Sequence, residues 1–217
     1  MDQTQSHSHC DCQSARRRFL QLSLALGALA LTPGALAADS IRSLRGKVMV
    51  DGKLANEQTD IDSGSLLETG ADGHLVFTFG QDAFLLRANS SLQLEPDGAA
   101  IGVLRLSTGA LLAAFGKGNK QVATPTATIG IRGTGIYLEA TPEETYFCLC
   151  YGEVELQRPT SGPEQETQAF AATRHSAIRI PPQPASISAT PQRNHTDAEL
   201  EMLESLVGRP PHLYAKS

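Results

Sequence analysis

Between residues 41 and 180 apolar and polar positions alternate over short stretches, each closed after a few residues by Gly, Asp or Pro. That is the period of strands with one buried face. Lys47-Val48-Met49-Val50 runs into Asp51-Gly52, a hairpin-type turn. Leu75-Val76-Phe77-Thr78-Phe79 reaches Gly80-Gln81-Asp82, and Ala83-Phe84-Leu85-Leu86-Arg87 returns from it. Ser91-Leu92-Gln93-Leu94-Glu95 stops at Pro96-Asp97-Gly98, and segments 103–106, 110–115, 127–131, 136–139, 145–150 and 153–156 continue the pattern, with Gly116-Lys117-Gly118-Asn119-Lys120 reading as a hairpin turn. A weak repeat underlies it: Gly46-Lys-Val-Met-Val, Gly109-Ala-Leu-Leu-Ala and Gly152-Glu-Val-Glu-Leu each place a glycine ahead of a strand whose second and fourth residues are apolar. Irregular spacing of this kind fits a stacked, solenoid-like arrangement. The predicted body, 38–180, is all-β.

After Ile180 the pattern changes. Residues 181–194, with Pro181-Pro182-Gln183-Pro184 and Thr190-Pro191-Gln192, read as a Pro-rich extended linker. The remainder, 195–217, holds one short C-terminal helix. Thr196-Asp197-Ala198-Glu199 fits a capping box, Leu200, Leu203, Leu206 and Val207 share a face, and Gly208 with Pro210-Pro211 ends the run. A lone helix of this length is marginal, so it is expected to dock on the β body or on a partner.

Residues 1–37 change the compartment rather than the fold. Arg16-Arg17-Arg18-Phe19-Leu20, an apolar run and Ala35-Leu36-Ala37 have the form of a cleavable twin-arginine signal. The expectation is a periplasmic protein exported already folded, with no stable membrane span after processing. Removal leaves about 180 residues, enough for one domain and a tail. The chain carries 18 Lys+Arg against 23 Asp+Glu. Losing Arg16, Arg17, Arg18, Asp2 and Asp11 with the signal makes it more acidic still. An acidic chain without a basic stripe is a poor partner for nucleic acid or anionic lipid. Trp is absent, so the core must come from Leu, Val, Ile and Ala. His7-Ser8-His9-Cys10-Asp11-Cys12 has a ligand-like composition but precedes the arginines and would leave with the signal.

Four stretches, in order, carry a family resemblance: Arg45-Gly46-Lys47-Val48; Gly64-Ser65-Leu66-Leu67-Glu68-Thr69-Gly70-Ala71-Asp72-Gly73-His74-Leu75; Leu92-Gln93-Leu94 after Asn89-Ser90-Ser91; and Ala123-Thr124-Pro125-Thr126-Ala127-Thr128-Ile129-Gly130-Ile131-Arg132-Gly133-Thr134-Gly135, followed by Tyr151-Gly152-Glu153-Val154. With these, residues 43–156 resemble the FecR family. The resemblance implies a twisted, solenoid-like pair of β-sheets and a binding or signalling role, as in the periplasmic part of transmembrane anti-sigma regulators. Ahead of the apolar segment this chain has no cytoplasmic sigma-binding domain, so the expectation is a free periplasmic domain of that fold that binds an unidentified periplasmic or envelope protein. Within the motif, Gly130, Gly133 and Gly135 suit tight turns, Arg132 is expected to bond carbonyls exposed by the bend, and Pro125 to sit at a strand edge.

The remaining chemistry is concentrated in Tyr146-Phe147-Cys148-Leu149-Cys150-Tyr151. Residues two apart on a strand point to one face, so both sulfurs project together. Three outcomes are open: a strained, easily reduced disulfide, two buried apolar thiols, or a metal or redox site completed by His175 and His195. Two Cys and two His suit zinc or copper, provided the tail folds over the strand. His74 and His212 read as surface residues. No Gly-x-Ser-x-Gly elbow or P-loop is present, and Glu143-Glu144 and Glu164 with Glu166 read as solvated loop charges. The expected function is a non-enzymatic protein-binding or envelope-sensing module; the alternative is a periplasmic metal-binding or thiol-redox protein centred on Cys148 and Cys150.

Overall fold

The computed structural model describes residues 40–159 and 165–210. Residues 1–37, expected to be a signal, the 7–12 cluster, Glu164 and His212 lie outside them. The described chain is all-β with one helix. Its strands are β1 (Ser40–Arg45), β2 (Val48–Val50), β3 (Lys53–Leu54), β4 (Leu66–Thr69), β5 (His74–Phe79), β6 (Asp82–Leu86), β7 (Ser91–Asp97), β8 (Ala100–Ala114), β9 (Lys120–Ala123), β10 (Thr128–Ile131), β11 (Gly135–Ala140), β12 (Thr145–Pro159), β13 (Gln165–Ala172), β14 (Ser176–Ile180) and β15 (Ser188–Ala189), followed by α1 (Asp197–Leu206).

These strands make two sheets. Sheet A runs β1–β5–β6–β8–β11–β12–β14–β15, antiparallel throughout. Sheet B runs β3–β2–β4–β7–β8–β9–β10–β12–β13, antiparallel except for β8 and β9. The long strands β8 and β12 belong to both. The first part of β8 pairs with β7 and β9 in sheet B, and its end pairs with β6 and β11 in sheet A. β12 crosses the other way, from β11 and β14 to β10 and β13. Each crossing is marked by a glycine with positive φ, Gly109 at 90° and Gly152 at 97°, and Gly46 at 63° lies where the chain passes from β1 to β2. The three repeated glycines are therefore the corners of the fold. Segments that read as separate strands, 103–106 with 110–115 and 145–150 with 153–156, are single strands bent at those corners.

Two expectations are corrected. Residues 116–120 are not a hairpin turn: β9 lies parallel to β8, with Val103 opposite Gln121. The chain leaves β8 in sheet A and returns to sheet B, so it re-enters beside the start of the same strand and in the same direction. Asp82 anchors this crossover, accepting from Gly116 N at 2.8 Å and pairing with Lys120 at 3.2 Å. Arg132 does not hold carbonyls. It is exposed on an open groove beside Glu155 and Gln157, and the bend after it is tied instead by Phe115 N donating to Thr134 O at 2.9 Å. Arg132→Ala is accordingly expected to change stability by no more than about 0.5 kcal/mol, read as an unchanged urea midpoint.

Side-chain alternation builds two apolar layers. Leu67, Leu92, Leu104, Val122, Ile129 and Leu156 of sheet B meet Leu75, Phe77, Phe84, Leu111, Leu138 and Phe147 of sheet A in one cluster between the sheets. The opposite residues of sheet A's strands, among them Leu85, Leu112, Ala114, Tyr137, Tyr146, Cys148 and Cys150, form a second cluster on its outer face. A sheet apolar on both faces must be covered on both.

The cover is the C-terminal segment. Ala185 N donates to Pro182 O at 3.2 Å, and Arg158 on β12 reaches Ala185 O at 2.7 Å. β15 then adds to the edge of sheet A, with Ile178 opposite Ala189. Thr196 caps α1 through a reciprocal capping box with Glu199. Leu200 and Leu203 are buried in the outer cluster, with Leu206 and Val207 packed at its margin. Glu204 is also buried, where it binds the Tyr151 hydroxyl and accepts from Arg209 Nε at 2.5 Å. Arg209 in turn donates to Ala114 O at 3.0 Å. Two buried leucines are a small apolar return for ordering so long a segment, so its polar ties carry weight. Among the described residues no helix is long and apolar enough to cross a membrane.

Candidate metal centre

The cysteines are set by the pleat of β12. Cys148 lies opposite Tyr137 on β11 and Ala177 on β14. Phe147 and Leu149 therefore turn into the core between the sheets, while Cys148 and Cys150 face outward, both fully buried and not joined by a disulfide. His175 ends the turn between β13 and β14, and its backbone N–H donates to Cys150 O at 3.0 Å, which brings its ring beside the sulfurs. His195 arrives from the opposite direction. The Tyr146 hydroxyl donates to Pro191 O at 3.3 Å and accepts from Arg193 N at 3.1 Å. Glu139 on β11 holds Arg193 at 2.8 Å and the Asn194 amide at 2.7 Å. The His195 ring then stacks on Tyr137, with centroids 4.5 Å apart.

All four residues singled out in the sequence meet here. Cys148 Sγ, Cys150 Sγ, His175 Nδ1 and His195 Nε2 lie within 4.8 Å of one another. Cys148 Sγ is 3.6 Å from His175 Nδ1, Cys150 Sγ is 3.6 Å from His195 Nε2, and the two ring nitrogens are 3.3 Å apart. A tetrahedral ion bonded at about 2.3 Å to sulfur and about 2.05 Å to nitrogen has S···N edges of about 3.5 Å and an N···N edge of about 3.3 Å. Three edges of the cluster have those lengths and all four donors lie within 4.8 Å of one another, so it could hold a metal ion after a small contraction.

The surroundings fix which ring nitrogens are free. His175 Nε2 lies 2.6 Å from Asp197 Oδ1, and His195 Nδ1 lies 2.7 Å from Arg193 O. A carbonyl and an ionised carboxylate accept only, so each ring places its N–H outward. In the neutral rings, His175 Nδ1 and His195 Nε2 then present lone pairs to each other and to the sulfurs. Outward hydrogen bonds to a carboxylate and a backbone carbonyl are the usual support of metal-bound histidines. The bond from His175 and the neighbouring Arg174 hold the Asp197 carboxyl below the usual carboxylate range.

The thiols are unequal. A hydrogen bond from Cys150, working against burial, draws Cys148 down. The same bond, with deep burial, pushes Cys150 up. One thiolate is thus favoured before any cation arrives, and a cation would take the place of the second proton.

Asp197, Glu139 and Tyr137 belong to the site and were not legible as such. The one available signal was an acid in the first helical turn immediately after His195. His74, expected at the surface, is half-buried on β5, where burial, then Arg87 and Arg45, hold its ring below the usual histidine range. Glu144 and Glu166 are likewise not free loop charges: Glu144 pairs with Arg179 and Glu166 with the buried Arg158.

No protein-family model and no curated protein matches the chain. Two crystal structures of a proposed anti-sigma factor from Parabacteroides distasonis are similar to it, at 13% and 12% identity, each with a TM-score of 0.49. The likeness covers 58% of this chain, which spans 59% of the length of either structure.

Proposed function

We propose that this chain is a metal-loaded, non-enzymatic binding or sensing domain of the FecR kind, carrying zinc on Cys148, Cys150, His175 and His195. The observation that carries the metal is the pair of imidazole lone pairs 3.3 Å apart, each fixed inward by the acceptor behind its ring. Unloaded, the thiol protons can bridge these atoms, each sulfur lying 3.6 Å from a ring nitrogen; a divalent cation would replace those protons and engage all four donors at once. Two sulfurs and two nitrogens in tetrahedral array suit zinc better than copper. Every coordination position is taken by protein, as in structural rather than catalytic sites.

The module role rests on the four sequence stretches of the FecR resemblance and on the all-β body. Export by the twin-arginine route fits the same site. His195 lies 45 residues beyond Cys150, so the coordination shell exists only once the domain has folded, and both thiols must be reduced when the metal enters. Loading in the cytoplasm followed by folded export meets both conditions.

The test is elemental analysis with thiol titration on protein recovered from the periplasm. The expected result is one zinc per chain, two thiols that react only after chelation, and no zinc in Cys148→Ser/Cys150→Ser. Absence of metal, with two freely titrating or disulfide-linked sulfurs, would overturn the metal reading.

A further inference from the structure

The four candidate ligands belong to parts of the chain that are attached very differently. Cys148 and Cys150 sit on β12, in the middle of sheet A, and His175 leads directly into β14. His195 alone belongs to the segment after β15. That segment adds no strand to either sheet, and the large core between the sheets contains none of its residues. It meets the body on the outer face of sheet A, where Leu200 and Leu203 join the cluster that holds Leu85 of β6 and Leu112 of β8. Of its polar ties, Arg87–Glu199, Arg174–Asp197 and Arg193–Glu139 are partly exposed pairs, a class that contributes little, so apart from the metal the polar weight falls on buried Glu204 with Arg209 and Tyr151 at the end of α1.

Resting on the metal reading above, we infer that the metal acts as a latch. Bound, it locks residues 190–210 over the outer face of sheet A. Withdrawn, it lets that segment lift as one piece while both sheets persist, and the apolar face beneath becomes an open helix-docking surface. α1 is the occupant of that surface: its Leu200 and Leu203 already fill it.

The geometry makes the opening a single event. His195 immediately precedes the capping residue Thr196, and Asp197, the first residue of α1, is the acceptor behind His175. The start of the helix and the coordination shell are therefore one structure, and neither can move without the other. Withdrawal of the cation leaves only thiol–imidazole contacts of 3.6 Å where metal–ligand bonds joined body and tail, which favours parting there rather than within either sheet. The core between the sheets uses neither the metal nor the tail.

The inference is tested by hydrogen-exchange mass spectrometry on the full chain, zinc-loaded and after chelation, with metal content measured on the same samples. With free zinc about a hundred times its dissociation constant, residues 190–210 are expected to exchange on the order of a hundredfold more slowly than in the stripped chain. Strands β7, β8 and β11 should remain strongly protected in both states, exchanging far more slowly than the tail of the stripped chain. His195→Ala, which removes only the tail's ligand, should exchange like the stripped chain over 190–210 even in excess zinc, and keep its sheets protected. Equal protection of the tail with and without bound metal would overturn the latch and leave the metal reading standing, as would a tail still protected in His195→Ala. Loss of protection throughout the sheets on stripping would overturn the latch as well, because the metal would then hold the whole fold. A chain that binds no zinc at all removes both the metal reading and the latch.

Discussion

Stripping the metal from the intact chain is expected to lower its melting temperature by roughly 10 °C. A ligand that binds only the folded state stabilises it by about 4 kcal/mol when present at about a thousand times its dissociation constant. For a domain of this size each kcal/mol moves the transition by about 2–4 °C. The four donor atoms come together only through the register of β12 with β11 and β14 and the docking of the tail, so the unfolded chain offers no comparable site. The control is Cys148→Ala/Cys150→Ala. It removes both sulfurs without burying a new polar group, should melt near the stripped wild type, and should no longer respond to chelator. Scanning calorimetry of the four samples decides the matter. A wild-type transition indifferent to chelation, or a double variant that still responds to it, would show that the cluster contributes nothing to stability through a metal.

The same cluster shows how far a sequence can be read and where reading stops. That Cys148 and Cys150 share a face follows from the two-residue period of a strand, and the structure adds only which face. It is the outer one, because Phe147 and Leu149, the larger alternate residues, take the core between the sheets. His175 and His195 were plausible partners by residue type alone. What joins them is the tail's path, set by contacts 45 to 112 residues apart in sequence, such as Tyr146 with Pro191 and Arg87 with Glu199, and no local pattern encodes these. Asp197 was legible as a favourable acid at a helix start, but its second task, behind His175, was not.

The β body followed a similar division. The hairpin at Asp51-Gly52, with positive φ at both residues, was carried by local turn chemistry. The parallel placement of β9 was not, because nothing in Gly116-Lys117-Gly118-Asn119-Lys120 distinguishes a tight reversal from a crossing between sheets. β13 escaped notice for a different reason. Its sequence, Gln165-Glu166-Thr167-Gln168-Ala169-Phe170-Ala171-Ala172, lacks alternation because it is an edge strand, held by its ladder to β12 with most of its described side chains exposed. The repeated glycines announced themselves as punctuation, yet they bend strands rather than end them.

Gly109→Ala should show how much depends on such a bend, with an expected loss of about 4 kcal/mol. Gly109 has φ of 90°, where an L-residue is strained by about 1–3 kcal/mol. A β-carbon there would also fall 2.1 Å from Ser90 Oγ and 2.4 Å from Ser90 Cα. The hydroxyl can rotate away, but the Cα cannot. Ser90 is itself fixed, since its N–H donates to Thr69 Oγ1 at 2.9 Å and its Oγ accepts from Ala110 N at 2.9 Å. Relief therefore requires moving β7 or β8 at the point where β8 passes between sheets, an overpacking cost of about 1–3 kcal/mol on top of the strain. Gly98→Ala is the natural comparison. Its φ of 62° is also left-handed, but nothing lies within 4 Å of the added carbon, so strain alone acts and about 1 kcal/mol is expected. Both substitutions narrow the unfolded chain equally, so the difference between their urea midpoints isolates the collision at the corner. Equal midpoints would mean that β8 can shift there freely, and that the bend at Gly109 is a convenience of the backbone rather than the joint on which the two sheets close.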